Sequence, residues 1–301
     1  MRGQPKENHM AKLLPMDADI LPPFDDRIFK CLLTHPNAKE VLIDIISMVI
    51  ERKVTSVQIR NIELPVTDTE EKAERFDINC TVENKDQVNV EMHCEQRVES
   101  GVVRVNFINK CVYYATDLHS SQDSKDVKYK NLVRTYQITF SLHTVFKDHP
   151  GFVHRFSLRS EDGEQLTDQL NIVLIELSKL DYALNKPVEE LTLFEKWSLF
   201  LRFAPDPVQR SKINDIIKEK EEISMASELL QTISQDEVQR AHIRSRRMYE
   251  TDRASDYLTA IEIGEEKERA KWEVVVADKD AELAANAAEI ARLRAELEKR
   301  N

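Results

Sequence analysis

The alternation of apolar and polar residues is most regular between positions 76 and 93. Phe76, Ile78, Cys80 and Val82, and then Val88, Val90 and Met92, fall at every second position, the period that puts one set of side chains on the core face of a strand. Glu83-Asn84-Lys85-Asp86 separates the two runs and reads as a turn, so the pattern predicts a hairpin. Its second face carries Asp77, Asn79 and Thr81 on one strand and Asn89, Glu91 and His93 on the other. With the turn centred on Lys85, paired positions sum to 170, which sets Asp77 opposite His93 and diagonal to Glu91, with Cβ atoms about 7 Å apart. Carboxylates at that separation can close on a divalent cation held by oxygens at about 2.1 Å. The other reading of the same face is an ordinary solvated sheet face. A one-residue slip would send the two sets to opposite sides.

The pattern continues on both sides of the hairpin. Phe24 to Arg52 predicts two helices, the second with Val41, Leu42, Ile45, Ile46 and Val49 at helical spacing, and Val57 to Val66 predicts a first strand. Arg104 to Gln122 predicts a helix with Val105, Ile108, Val112 and Ala115 on one face. Strands follow at Thr135 to Leu142, Val153 to Arg159 and Leu170 to Glu176. A helix between two strands of one sheet implies a crossover and a mixed α/β sheet. Past Leu180 strand signals stop. Pro187 is placed to open a helix through Leu201, Pro205 and Pro207 end it, and 208–270 reads as nearly continuous helix. Val276, Leu283, Ile290 and Leu297 then recur every seven residues, with Trp272, Lys279, Asn286 and Leu293 between them. This predicts a short coiled coil, with a second copy or another protein, or else a single solvated helix held by pairs of opposite charge.

At 301 residues the chain can hold one domain of about 150 to 180 residues and an accessory region. Only five glycines occur and no phosphate-cradling glycine string, which argues against nucleotide binding. The four cysteines (31, 80, 94, 111) lack paired spacing, so no structural zinc or disulfide framework is expected. The apolar run from Val41 to Ile50 is broken by Asp44 and the start is polar, so a cytoplasmic protein without a membrane segment is expected. A net charge of −11 opposes tight nonspecific DNA binding, whose affinity comes from neutralising phosphates. Local balance differs: 103–134 holds Arg104, Lys110, Lys125, Lys128, Lys130 and Arg134 against three aspartates, and Arg240, Arg244, Arg246 and Arg247 form a second basic cluster. Such clusters also occur as plain solvated helix faces.

Several segments, in their order and spacing, resemble the PD-(D/E)XK nuclease family transposases, also called recombination-promoting nucleases. They are Leu21-Pro22-Pro23-Phe24-Asp25-Asp26-Arg27-Ile28-Phe29-Lys30 with its Asp-x-x-Phe-Lys core, Val90-Glu91-Met92-His93 where the family has Ile-Glu-Met-Gln, the helix from Phe107 to Tyr114, the pair Tyr129 and Leu132, and Met248 to Tyr257. The resemblance spans 18–265. It implies a restriction-endonuclease-like α/β fold, a mixed sheet flanked by helices, followed by an all-helical C-terminal region and the short coiled coil. The divisions expected are a flexible lead at 1–17, a nuclease-like domain at 18–180, a helical region at 181–265 and the tail at 266–301.

The resemblance implies a metal-dependent DNA endonuclease. Asp77 and Glu91 would hold Mg²⁺ or Mn²⁺, and His93 would orient or deprotonate the water. Asp26 would add a carboxylate from the first helix, its other reading being a helix N-cap. Lys110, Arg104, Lys128 and Lys130 would contact DNA. The chain departs from the family at His93, where Gln or Lys is usual, at Lys110, where Arg is usual, and at Asp126, where Gly is usual. A weakened nuclease fold acting as a binding or regulatory module through its tail, or a toxin-like nuclease gated by it, are the other readings.

Overall fold

The computed structural model of the chain describes residues 11–61, 78–94, 101–122 and 129–298. It divides into two units, Met1–Arg240 and Ala241–Asn301. The first carries helices α1 (Asp26–Thr34) and α2 (Lys39–Ile50), strands β1 (Val57–Asn61), β2 (Ile78–Val82) and β3 (Gln87–His93), helix α3 (Gly101–Ser120), and strands β4 (Thr135–Ser141), β5 (Val153–Ser157) and β6 (Leu170–Glu176). Helices α4 (Leu193–Phe203), α5 (Arg210–Glu219) and α6 (Glu221–Gln235) complete it. The sheet order is β1-β2-β3-β4-β6-β5. β3, β4 and β6 run parallel, and the other pairings are antiparallel. α3 is the connection between β3 and β4, as a parallel pair requires.

The hairpin forms, with its register shifted from the expected one. Ile78 pairs with Val90, Asn79 with Asn89, Cys80 with Val88 and Thr81 with Gln87, so paired positions sum to 168 and the turn centres on Asn84. The cause is the turn itself: Lys85 donates its N–H to Val82 O at 2.8 Å and adopts φ 72°, and Val82 N donates to Asp86 O at 3.1 Å. That is a three-residue loop closed by a left-handed residue. A shift of two keeps every side chain on its face, so the division into a core face and a polar face survives. Arg52, just past α2, pins the turn by donating to Asn84 Oδ1 at 3.2 Å and Asp86 Oδ2 at 2.9 Å.

Val88, Val90 and Met92 are buried on the side of α1 and α2, where the Phe29 and Phe140 rings lie 5.7 Å apart. α3 covers the opposite face. Among its described residues Phe107, Cys111 and Ala115 are buried and Ile108 is partly buried against them, while Val105 and Val112 are exposed. Of the face expected through Val105, Ile108, Val112 and Ala115 only Ile108 and Ala115 turn inward, and the helix is rotated toward Phe107 and Cys111. Phe107 and Cys111 pack with Val145 and Leu174, and this rotation is what turns Lys110 toward the sheet.

The helical half also departs from expectation in two places. Pro187 leads only a 3-10 turn (Val188–Glu190). α4 starts instead under Thr192, which accepts from Glu195 N while Glu195 accepts from Thr192 N at 2.8 Å, a reciprocal capping box. The expected continuous helix over 208–270 breaks at Lys220 (ψ 116°) and Asp236 (ψ 116°). Folding back lets α5 and α6 bury Ile213, Ile216, Ile217, Ile223 and Leu230, which a straight helix would leave in water. Asp236 then caps the next helix, accepting from Val238 N at 2.8 Å. Residues 12–21 run along α5 and α6 through hydrogen bonds such as Leu14 N to Asn214 Oδ1 at 2.8 Å and Leu21 N to Ser234 Oγ at 2.9 Å.

Helix α7 (Glu237–Glu298) supplies the second unit. Its Trp272, Val276, Leu283, Ile290, Leu293 and Leu297 are all exposed. No helix among the described residues is long and apolar enough to cross a membrane.

Candidate active site under the crossover helix

The polar face of β3 is not solvated. Gln87, Asn89, Glu91 and His93 are each buried, with Glu91 4% and His93 8% exposed, because α3 lies over them. The parallel register sets Asn89 beside Gln137, Glu91 beside Thr139 and His93 beside Ser141, and Ser141 in turn beside Glu176. Buried polar groups must find partners, and part of this face does so internally. Asn89 Nδ2 donates to Gln137 Oε1 at 2.8 Å, and Gln137 Nε2 donates to Thr139 Oγ1 at 3.1 Å. Glu176 accepts from Val145 N and Phe146 N and faces Lys179 and His154, holding the loop that follows β4.

Glu91 and His93 have a different environment. The Lys110 ammonium pairs with Glu91 Oε1 and lies 5.2 Å from the centre of the Tyr114 ring. A carboxylate this deep keeps its charge only with a cation at hand, and α3 supplies one. The His93 ring lies against Phe107, centroids 4.3 Å apart. Its Nε2 is buried with no hydrogen-bond partner among the described residues. Burial first, then the Lys110 charge and His143, push the His93 pKa down to about 3. His93 is therefore a neutral imidazole at working pH, a hydrogen-bond acceptor or ligand nitrogen. The near-neutral pKa that a proton-carrying role needs is absent.

The start of α1 brings in more donors. Asp25 is the N-cap, its Oδ1 accepting from Arg27 N at 3.1 Å and Ile28 N at 3.3 Å. The cap reading offered for Asp26 therefore passes to Asp25, and Asp26 is the first helical residue. Asp25, Asp26 and Cys94 can each bring one ligand atom within 4.8 Å of the others. Cys94 directly follows β3, so these acids reach the carboxyl end of the strand that carries Glu91 and His93. Sequence spacing missed Asp25 and Cys94 because neither lies in a pattern with the other. The only signal was the second acid of the Asp25-Asp26 pair.

The structure thus brings together Glu91, His93 and Lys110. Arg104 is exposed on α3, its guanidinium 5.2 Å from the Phe146 ring centre, and Lys130 is exposed in the 3-10 turn Tyr129–Asn131. Asp77 and Lys128 lie outside the described residues.

Residues 23–260 match the family model described as PD-(D/E)XK nuclease family transposase, and the chain belongs to that family. Its six-stranded mixed sheet with flanking helices and long C-terminal helix is the PD-(D/E)XK nuclease-like α/β fold. Membership supports a nuclease, transposase-like function, with DNA as the substrate class it implies. No curated protein and no solved structure matches the chain.

Proposed function

We propose that the chain is a metal-dependent DNA endonuclease that hydrolyses phosphodiester bonds, with Glu91 and Asp77 holding Mg²⁺ or Mn²⁺ and His93 beside them. The observation that carries this reading is the buried pair on β3: an ionisable carboxylate offset by Lys110, next to a neutral imidazole whose Nε2 has no hydrogen-bond partner among the described residues. Carboxylate oxygens suit a hard divalent cation of this class, and a neutral imidazole nitrogen suits one of the waters such an ion keeps, so the residues fit the group. Held by these carboxylates, such a cation would supply polarisation of the phosphodiester and a lowered pKa for the attacking water. His93 orients that water by accepting its hydrogen bond at Nε2. The Lys110 ammonium faces the negative charge that builds on the phosphate. Asp26 adds a carboxylate at the end of β3. Arg104, Lys128 and Lys130 hold the flanking phosphates, α7 carries the association with a second copy, and the protein works in the cytoplasm.

The experiment is cleavage of supercoiled plasmid with and without Mg²⁺ or Mn²⁺, together with calorimetric titration of Mn²⁺ into the protein. Wild-type cleaves only with metal, and Glu91→Gln loses both cleavage and the Mn²⁺ heat. Cleavage in the presence of chelator would refute the reading. A second reading, a nuclease fold that binds without cutting, is favoured by His93 in place of Gln or Lys and by the net charge of −11. Metal binding without cleavage by the wild-type protein would establish it.

A further inference from the structure

Along α7 a stripe of side chains is spaced alternately by four and three residues: Trp272, Val276, Lys279, Leu283, Asn286, Ile290, Leu293 and Leu297. The apolar members are 47% to 65% exposed. Large apolar groups at this spacing form the seam of a coiled coil, and an exposed patch of them marks an interaction surface. We infer that the occupant is a second copy of the chain whose α7 runs in the opposite direction, centred between Ala284 and Ala285. This rests on the self-association proposed above and adds its orientation.

The seam is self-complementary in one direction only. Antiparallel, with facing positions summing to 569, Trp272 meets Leu297, Val276 meets Leu293, Lys279 meets Ile290 and Leu283 meets Asn286. Each polar residue then packs against an aliphatic one, and Lys279 lays its methylenes on Ile290 while its ammonium reaches water. In the parallel arrangement every seam residue meets its own counterpart, which stacks Lys279 on Lys279. The flanking charges permit this direction and give it a test. Antiparallel pairing sets Glu273 beside Arg294 twice per dimer. It also sets Glu282 near Glu289, but each of these is already compensated within its own helix, Lys279 to Glu282 at 2.6 Å and Arg292 to Glu289 at 2.8 Å. Parallel pairing sets Glu289 beside Arg294 and Glu268, itself paired with Lys271 at 3.5 Å, beside Glu273, so the flanking charges serve either direction and Lys279 in the seam decides between them. A two-fold dimer with this isologous contact closes without further assembly.

Sedimentation equilibrium on the full chain at tens of micromolar tests this with three charge variants. Glu273→Arg and Arg294→Glu each put like charges in two places and raise the dimer dissociation constant on the order of tenfold. The double variant Glu273→Arg/Arg294→Glu restores it. In a parallel dimer Glu273→Arg would instead tighten association by meeting Glu268, and that result overturns the orientation alone. A neutral Glu273→Arg overturns it too. A monomeric wild-type chain overturns self-association itself, and neither outcome touches the plasmid assay that decides the nuclease reading.

Discussion

The face of β3 under α3 and the outer stripe of α7 break the same rule in opposite directions. In the first, Gln87, Asn89, Glu91 and His93 are polar and buried; in the second, Trp272, Leu283 and Ile290 are apolar and exposed. Either departure costs free energy in the isolated chain, through desolvation of polar groups or hydration of apolar ones. The partner that offsets the cost differs. Beneath α3 a carboxylate, an imidazole and an ammonium come together, and the proposed occupants are a cation and a phosphate. Along α7 the stripe is long and periodic, so what suits it is another helix. The comparison also separates two kinds of buried carboxylate. Glu176 and Glu195 are saturated by partners that hold loops in place, whereas Glu91 is offset by a lysine whose side chain is 38% exposed and lies beside an imidazole nitrogen with no hydrogen-bond partner among the described residues.

The largest expected effect breaks the first region. Glu91→Ala or Asp77→Ala removes a carboxylate from the proposed cation site and lowers cleavage by about a thousandfold or more, since several kcal/mol of charge stabilisation go with the ion. Initial rates of plasmid nicking measure it. Near-wild-type rates in either variant would return this face to a merely structural role.

Smaller, and sharper, is the pair His93→Leu and His93→Gln. If His93 works as a neutral acceptor, Gln keeps an acceptor at the same place and holds activity within about threefold, while Leu loses about ten- to a hundredfold. Equal losses in both would show that the imidazole is needed for more than accepting a hydrogen bond. Circular dichroism on both variants separates this from misfolding.

Much of this contrast was legible along the chain. Strict alternation through 76–82 and 88–92 gave the hairpin and its two faces, and the seven-residue spacing from Val276 to Leu297 marked the tail stripe. What escaped was decided by tertiary contacts. The register moved by two because Lys85 takes a left-handed conformation in the turn, a choice that charge and hydropathy patterns do not encode. The rotation of α3 that delivers Lys110 to Glu91 comes from packing Phe107 and Cys111 against Leu174 and Val145. The breaks at Lys220 and Asp236 carry no Pro or Gly and arise from α6 folding onto α1 and α2 and α5 packing on α4 and α6. Burial of the polar face was likewise invisible, because alternation alone does not say whether a helix covers it.

Glu195 provides the control for the buried-carboxylate side of the comparison. Burial on its own would raise its pKa, but the Lys186 ammonium at 2.6 Å, the Thr192 N–H and the Tyr182 hydroxyl outweigh that and hold it below the usual carboxylate range. A folded-state pKa below the unfolded one means stability that is present above about pH 4.3, the unfolded value, and lost as pH falls through the folded value. Glu195→Gln should therefore cost about 1–3 kcal/mol at pH 7, with the difference from wild-type shrinking below pH 4. Urea unfolding at both pH values reads it, and cleavage at pH 7 by the folded fraction should be unchanged.

The smallest expected effect on the unit Met1–Arg240 comes from the tail. Ile290→Lys places a charge on the seam, where Ile290 is 52% exposed and belongs to the unit Ala241–Asn301. A buried isoleucine replaced by lysine would cost several kcal/mol in the unit that holds it, but an exposed one has little burial to lose within its own chain. Unfolding of Met1–Arg240 should therefore shift by less than about 0.5 kcal/mol and its cleavage rate should hold, while the dimer dissociates, because its helix seam loses a central layer. Differential scanning calorimetry read alongside sedimentation on the same samples makes the comparison directly. A large loss of stability in the monomeric variant would mean that Ile290 is covered by its own chain, and the two regions would then obey the same rule.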